Sequence, residues 1–252
     1  MEKNNIGQIF EAASAEKPDL SLVILCYRAE ESLKFFIAET IKTLAAGGVL
    51  NYELVLVGNY LKGVQDKTPR VVQELAEHNP RINCVVKEKR GMMGWDMKSG
   101  LALAAGKYIA VIDGDGQMPI KDVVTTYKMI YNSGYDLVKT YRVHRGDTVW
   151  RKTVSFIYNL FFHWLFPGLN SRDINSKPKI LTRRAYEKLN LISDDWFIDA
   201  EIMIQARRNK FRIGEVPTVF YKLTLRDSFV RYKTIIEFIK NLIIFRIAEF
   251  KK

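Results

Sequence analysis

Residues 106–119 read Gly-Lys-Tyr-Ile-Ala-Val-Ile-Asp-Gly-Asp-Gly-Gln-Met-Pro. Tyr108 to Ile112 is a short apolar run with β-branched residues, the pattern of a strand buried on both faces. It stops abruptly at Asp113-Gly114-Asp115-Gly116-Gln117. Glycines permit a tight turn there, so two carboxylates one residue apart converge at the carboxyl end of the strand. In an open α/β sheet that edge is where ligands bind. Hard oxygen ligands suit Mg²⁺ or Mn²⁺, which take one or two carboxylates plus substrate phosphates. The plain alternative is an ordinary turn, since Asp and Gly are the commonest turn residues. A buried strand leading straight into the pair weighs against it, because charges at a strand end need a partner.

Outward from this stretch, strand and helix patterns alternate. Strands are expected at Leu20–Cys26, Tyr52–Val57 and Ile82–Val86. Helices are expected from about Ser32 to Ala46, closed by Gly47-Gly48, and from Thr68 to His78, stopped by Asn79-Pro80. Gly91-Met-Met-Gly94-Trp95 opens a third helix running to Ala105 and capped by Gly106. Such alternation over the first 120 residues predicts a parallel, doubly wound sheet. The second half is less regular. Helices are expected at Ile120–Ser133, at Trp150–Phe166 (read as a core helix), from Thr182 to Leu189 and at Trp196–Asn209. Strands are expected at Asp136–Tyr141, Ile180–Leu181 and Phe211–Phe220. Residues 1–19 form a lead-in, 20–228 one domain, and 229–252 a C-terminal amphipathic helix.

A chain of 252 residues accommodates one α/β domain with a sizeable core. Its net charge of +11 points to an anionic partner: nucleotide, nucleic acid, lipid phosphate or membrane surface. Nucleic acid is disfavoured, because no helix-turn-helix, zinc or RNA-recognition pattern accompanies the charge. A dinucleotide-binding oxidoreductase fails because Gly-x-Gly-x-x-Gly does not follow the first strand. Cys26 and Cys84 lack metal-ligand spacing and read as small hydrophobes of a reducing compartment. Met1 to Leu20 has no apolar core of a signal peptide, and Phe229 to Phe250 is too interrupted by charge to span a bilayer. Ile235, Ile236, Ile239, Leu242 and Ile243 recur at helical spacing there beside basic residues. Such a helix lies on an anionic membrane, docks on its own sheet, or pairs with a second subunit or a membrane partner protein.

Five motifs in order resemble the family-2 glycosyltransferases of the GT-A fold, and within them the dolichyl-phosphate mannose synthase and polyprenyl-phosphate glycosyltransferase branch. Val23-Ile24-Leu25-Cys26-Tyr27-Arg28-Ala29-Glu30 is similar to its first strand and loop, with Leu25 in place of proline and Arg28 in place of asparagine. Val57-Gly58-Asn59 stands where Asp-Asp-Gly-Ser is usual, so the base-contacting acid becomes Asn59 or is absent. Arg90-Gly91 and Lys98-Ser99-Gly100-Leu101 resemble the loop and helix that approach the diphosphate. Asp113 and Asp115 match the metal-binding Asp-x-Asp, with Gln117 near the metal. Asp173-Ile-Asn-Ser-Lys-Pro-Lys179 resembles the loop closing on donor and acceptor, and Phe197-Ile-Asp-Ala-Glu201 the acidic helix beside it. Leu223-Thr-Leu-Arg226-Asp-Ser228 replaces the usual Arg-x-x-Gly-x-Ser.

The resemblance implies a mostly parallel, Rossmann-like GT-A sheet flanked by helices. It also implies metal-dependent, inverting transfer of a sugar from a UDP- or GDP-sugar. Leu25, Tyr27, Glu30, Asn59, Arg90, Lys98, Asp113, Gly114 and Asp115 would bind the donor, and Mg²⁺ or Mn²⁺ would sit on Asp113 and Asp115 near Gln117. A polyprenyl phosphate acceptor is already anionic and needs no base, and Arg142, Arg151 and Lys179 would hold its phosphate. A sugar hydroxyl acceptor needs a carboxylate to take its proton, Asp199 or else Asp173. The expected location is peripheral, on the cytoplasmic face of the membrane. The rivals are a transferase acting on a soluble or cell-surface hydroxyl, and an inactive nucleotide-sugar-binding partner subunit.

Overall fold

Alternate residues of each apolar run face opposite helical layers, which is why the runs are continuous rather than alternating. A computed structural model describes residues 17–145, 149–169, 171–221 and 232–250, without the side chains of 144–145, 149–151, 232–236 and 250. Strands β1 (Leu20–Leu25), β2 (Tyr52–Val57), β3 (Ile82–Val85) and β4 (Tyr108–Asp113) are parallel neighbours. With β5 (Leu137–Arg145), β6 (Lys179–Thr182) and β7 (Ile213–Phe220) they form one sheet in the order β3-β2-β1-β4-β6-β5-β7. Only β6, antiparallel to both β4 and β5, breaks the common direction among these strands. The expectation of a mostly parallel sheet is met.

Leu22, Ile24, Leu54, Leu56, Ala110 and Ile112 pack under α1 (Ser32–Ala46), α2 (Thr68–Glu77) and α4 (Lys121–Ser133). Val23, Leu25, Val55, Val57, Ile109 and Val111 pack under α3 (Met93–Leu101), α5 (Val149–Leu165), α7 (Ile198–Arg208) and α8 (Tyr232–Phe250). A one-residue slip would exchange the two sets, so the register is firmly specified. Leu25 pairs with Val57 on one side and Asp113 on the other, which aligns the carboxyl ends of three strands. The short α6 (Arg183–Tyr186) is capped by Thr182, whose Oγ1 accepts from the Ala185 N–H at 3.1 Å.

Two expectations are corrected. α3 ends at Leu101, four residues before Ala105, and Gly106 is not its cap. Buried Ser21 and Glu53 draw the chain out of the helix: the Ala105 N–H donates to Glu53 Oε1 at 2.6 Å and the Gly106 N–H to Ser21 Oγ at 2.7 Å. α5 is a core helix on one face only. Phe162 is fully buried, whereas Phe156, Ile157, Leu160 and Trp164 are 57–72% exposed. α8 docks on its own domain through rings of Phe245 and Phe197 5.1 Å apart, Asn241 to Asp195 (2.7 Å) and Arg208 to Glu249 (2.8 Å). Its other face exposes Ile239, Ile243, Ile244 and Ile247. No helix among the described residues is long and apolar enough to cross a membrane.

Candidate active site

The shared register of β1, β2 and β4 brings Tyr27, Asn59 and Asp115 to one sheet edge, each two residues beyond its strand's aligned position. The Gly114 N–H donates to the Leu25 carbonyl at 2.9 Å, extending the β1–β4 pairing into the turn. Gly116 then takes φ of +73°, a left-handed value that a side chain would strain. Asp115 Oδ1 accepts from the Gln117 N–H at 3.0 Å. Gln117 Nε2 donates to the Tyr221 carbonyl at 3.2 Å, so this side-chain amide ties the turn to the end of β7. Asp113 keeps 35% of its side chain exposed, and Asp115 is half-buried. No group of three or more His, Cys, Asp and Glu side chains among the described residues is placed to hold a metal by itself. Two carboxylates at a turn fit Mg²⁺ or Mn²⁺, which complete their shell with phosphate oxygens and water.

Behind Asp113 runs a row of buried charges. Lys177 Nζ lies 3.1 Å from Asp113 Oδ2 and 3.1 Å from Asp199 Oδ2, and it donates to Met93 Sδ at 3.2 Å. Lys179 Nζ lies 2.6 Å from Asp199 Oδ1 and donates to the Ser176 carbonyl at 2.9 Å. Burial alone would raise the Asp199 carboxyl, but the two ammoniums outweigh it and hold the pKa below the usual carboxylate value. Burial lowers Lys179 despite Asp199, whereas the attraction of Asp113 and Asp199 overrides burial at Lys177 and raises it. Beyond this row, Arg142 forks onto Asp173 with contacts of 2.6 and 2.8 Å. Glu215 gathers Lys139 Nζ, Ser171 Oγ and the Arg172 N–H within 3.1 Å, which anchors the start of the 171–179 loop.

At the β2 end, Asn59 is 2% exposed and fully engaged. Its amide donates to Asp96 Oδ1 (3.0 Å) and Ser99 Oγ (2.9 Å), and its oxygen accepts from the Lys87 N–H (2.9 Å). Burial pushes the Asp96 carboxyl upward against the pull of Lys89, its ion-pair partner. The Lys89 ammonium also lies 4.4 Å from the centre of the Tyr27 ring. Glu30 is exposed with φ of +46°, and its N–H donates to Thr68 Oγ1 at 3.0 Å.

The glycine-rich loop meets protein rather than open cleft. The Met92 N–H donates to the Asp194 carbonyl (2.7 Å) and the Gly94 N–H to that of Asp195 (2.9 Å). A Cβ on Gly94 would lie 2.4 Å from the Ser193 carbonyl oxygen, so the glycine permits this close approach. Lys98 secures the same loop, 3.1 Å from the Ile192 carbonyl and 2.6 Å from Asp194. Glu201 holds it from below through the Ile192 and Ser193 N–H groups.

Of the expected site residues, the structure therefore brings together Leu25, Tyr27, Asn59, Asp113, Gly114, Asp115 and Gln117 at the sheet edge, while the exposed Glu30 lies beside the start of α2. Arg142, Asp173, Lys179 and Asp199 belong to the adjoining ion pairs, with Lys179 and Asp199 inside the protein. Arg90 is exposed ahead of α3. The Arg151 side chain and Arg226 lie outside the described residues. Sequence reasoning missed Lys177, Asp96 with Lys89, and Glu215. Lys177 had a signal: it sits two residues before Lys179, the spacing that puts side chains on one face of an extended segment.

Residues 21–190 match the family described as Glycosyl transferase family 2. An undecaprenyl-phosphate 4-deoxy-4-formamido-L-arabinose transferase of Photorhabdus laumondii is 34% identical over 144 residues, covering 56% of this chain and 42% of that protein. A dolichyl-phosphate beta-glucosyltransferase of Trichomonas vaginalis is 27% identical over 218 residues, covering 80% of this chain and 66% of that protein. The chain thus spans between two fifths and two thirds of these relatives' lengths. In three dimensions it is similar to glucosyl-3-phosphoglycerate synthase of Mycobacterium tuberculosis in complex with UDP, with a TM-score of 0.67, 18% identity, and 98% and 85% of the two chains covered. That likeness establishes the GT-A architecture. With the family match over residues 21–190, the chain belongs to glycosyl transferase family 2.

Proposed function

We propose that the protein transfers a sugar, with inversion, from a nucleoside diphosphate sugar to a polyprenyl phosphate. The observation that carries this reading is the state of the two candidate bases. Asp199 has an ammonium on each oxygen and a lowered pKa, and Asp173 is forked by Arg142. A carboxylate held this way is a poor proton acceptor, whereas a phosphate acceptor is anionic and needs none. The names of the curated relatives, undecaprenyl-phosphate and dolichyl-phosphate transferases, support the same acceptor class.

In this reading Tyr27, Glu30 and the Asp113–Asp115 turn receive the donor, and Asn59 and Lys98 act from behind by fixing the walls. Asp113 and Asp115 would hold the divalent metal, near Gln117, and Arg90 supplies charge at the mouth. A metal held by Asp113 and Asp115 would supply positive charge against the departing diphosphate. Crystals of the mycobacterial synthase contain Mn²⁺ with UDP-glucose, which supports this pairing. Because Lys179 is interior, the acceptor phosphate falls to Arg142 and Arg151. The exposed apolar faces of α5 and α8, with Lys152 and Lys240 also exposed, suit peripheral contact with an anionic membrane.

The test is transfer to undecaprenyl or dolichyl phosphate in detergent, with Mg²⁺ or Mn²⁺, across UDP- and GDP-sugars. A glycosylated lipid from one donor is the expected result. Transfer to soluble hydroxyl acceptors alone, or no donor binding at all, would overturn it.

A further inference from the structure

The segment from Ser171 to Lys179 carries three cations, and they are placed very differently. Lys177 is held between Asp113 and Asp199, and Lys179 is paired with Asp199 inside the protein. Arg172 is exposed. Among the described residues its guanidinium meets no carboxylate and lies instead over the Tyr141 ring, 4.5 Å from the centroid. Its backbone is fixed as well. The Arg172 N–H donates to Glu215 Oε1 at 3.0 Å, and Glu215 is itself paired with the buried Lys139. An arginine ordinarily loses rotamer freedom on gripping a ligand. Here the ring contact and the backbone bond restrict it beforehand, and a guanidinium stacked on a ring keeps its in-plane N–H groups open to an anion.

The strand register sets where this guanidinium stands. Lys179 pairs with Val111 of β4 and with Lys139 of β5, and both strands run antiparallel to β6. Two residues further along come Asp113 and Tyr141, level with each other and, by strand alternation, on one face of the sheet. Two strand spacings separate them by about 10 Å. The same loop also reaches α5, where the Ile174 N–H donates to Asn159 Oδ1 at 3.1 Å. Asn159 shares a helix face with Phe156 and Leu160, both exposed. The loop carrying Arg172 thus joins the level of Asp113 to an apolar surface, the setting for an anionic headgroup on an apolar tail.

We propose that Arg172, stacked on Tyr141, is a binding residue for the phosphate monoester of the acceptor lipid. A phosphate takes a bidentate pair of N–H···O bonds from such a fork. Arg142 already shares its fork with Asp173, so Arg172 adds an open one to the acceptor site. This inference rests on the polyprenyl phosphate reading above.

The experiment is cosedimentation of the full chain with phosphatidylcholine vesicles carrying undecaprenyl phosphate, phosphatidylglycerol at matched surface charge, or neither. Wild type, Arg172→Gln, Arg172→Lys and Tyr141→Leu are compared, with thermal melts alongside. Wild type is expected to bind the undecaprenyl phosphate vesicles more tightly than the phosphatidylglycerol ones. Arg172→Gln should lose about ten- to a hundredfold on undecaprenyl phosphate, the worth of hydrogen bonds to a charged group, and change little on phosphatidylglycerol. It should melt like wild type, since the side chain is exposed. Arg172→Lys, which keeps the charge without the fork, should recover only part of the loss. Tyr141→Leu, which releases the guanidinium from its ring, should fall between wild type and Arg172→Gln. A loss in Arg172→Gln that is equal on both anionic vesicles overturns the assignment and makes Arg172 a contact for bulk lipid headgroups. A wild-type preference for undecaprenyl phosphate that Arg172→Gln retains in full overturns the role of Arg172 and leaves the acceptor reading standing. Absence of that preference in wild type overturns both.

Discussion

Lys179 Nζ lies 2.6 Å from Asp199 Oδ1, and neither side chain is more than 2% exposed. Asp199 also faces Lys177, so its carboxylate form is favoured in the folded protein and its pKa is lowered from 3.8. A carboxyl whose folded pKa is depressed stabilises the fold fully above its unfolded value. That contribution is lost as pH falls through the folded value. Asp199→Asn is therefore expected to cost about 3–5 kcal/mol at pH 7, the range for breaking a buried ion pair. The gap from wild type should narrow as pH drops below 3.8, the unfolded value. Urea denaturation at neutral and acid pH checks this, and an equal gap at both would show that the ion pairs are not its source.

Gly94 lets the loop at Ser193 approach α3, with space for a Cβ closed by a carbonyl oxygen at 2.4 Å. Backbone cannot swing away as a side chain can. Gly94→Ala should destabilise the protein by about 1–3 kcal/mol, the usual cost of overpacking. It should also weaken UDP binding only in proportion to unfolding. A loss of UDP affinity without a lower melting temperature would instead assign the glycine to the ligand.

Asp115→Asn is expected to reduce sugar transfer by roughly 10²–10³-fold, the scale seen when one preorganised electrostatic group is removed. Its side chain is half-buried at the turn and bonds the Gln117 N–H, a contact that an asparagine oxygen retains. The melting temperature should stay close to wild type. Full activity at matched folding would remove Asp115 from the metal site.

Phe156 and Leu160 lie one helical turn apart and are 69% and 62% exposed. Phe156→Glu/Leu160→Glu should weaken sedimentation with anionic phospholipid vesicles by about tenfold or more, given roughly 1.5–3 kcal/mol for burying each such side chain. UDP binding should not change. Vesicle binding equal to wild type would exclude this face as the membrane contact.

What could be read from the chain is governed by locality. The strands at Leu20, Tyr52 and Tyr108 were legible because both faces are buried and the runs are almost wholly apolar, whereas the shorter edge strand at Ile82 exposes Asn83. The turn at Asp113–Gln117 was legible because glycine and aspartate act within a few residues of chain. The order of motifs was enough to indicate the family. The helix end at Leu101 was not legible, since the acceptors that draw Ala105 and Gly106 away belong to Glu53 and Ser21 on other strands.

Which charges meet was decided only by tertiary structure. β6 enters the sheet antiparallel between β4 and β5, and that insertion carries Lys177 to Asp113, 64 residues away in sequence. The same packing engages Asn59 with Asp96, turns Lys98 toward Asp194, and leaves half of α5 uncovered. A lysine, an asparagine or a phenylalanine has the same local pattern whichever partner it meets. Strand order and helix docking choose the partner, because burial requires each polar group to be paired and each apolar face to find a surface.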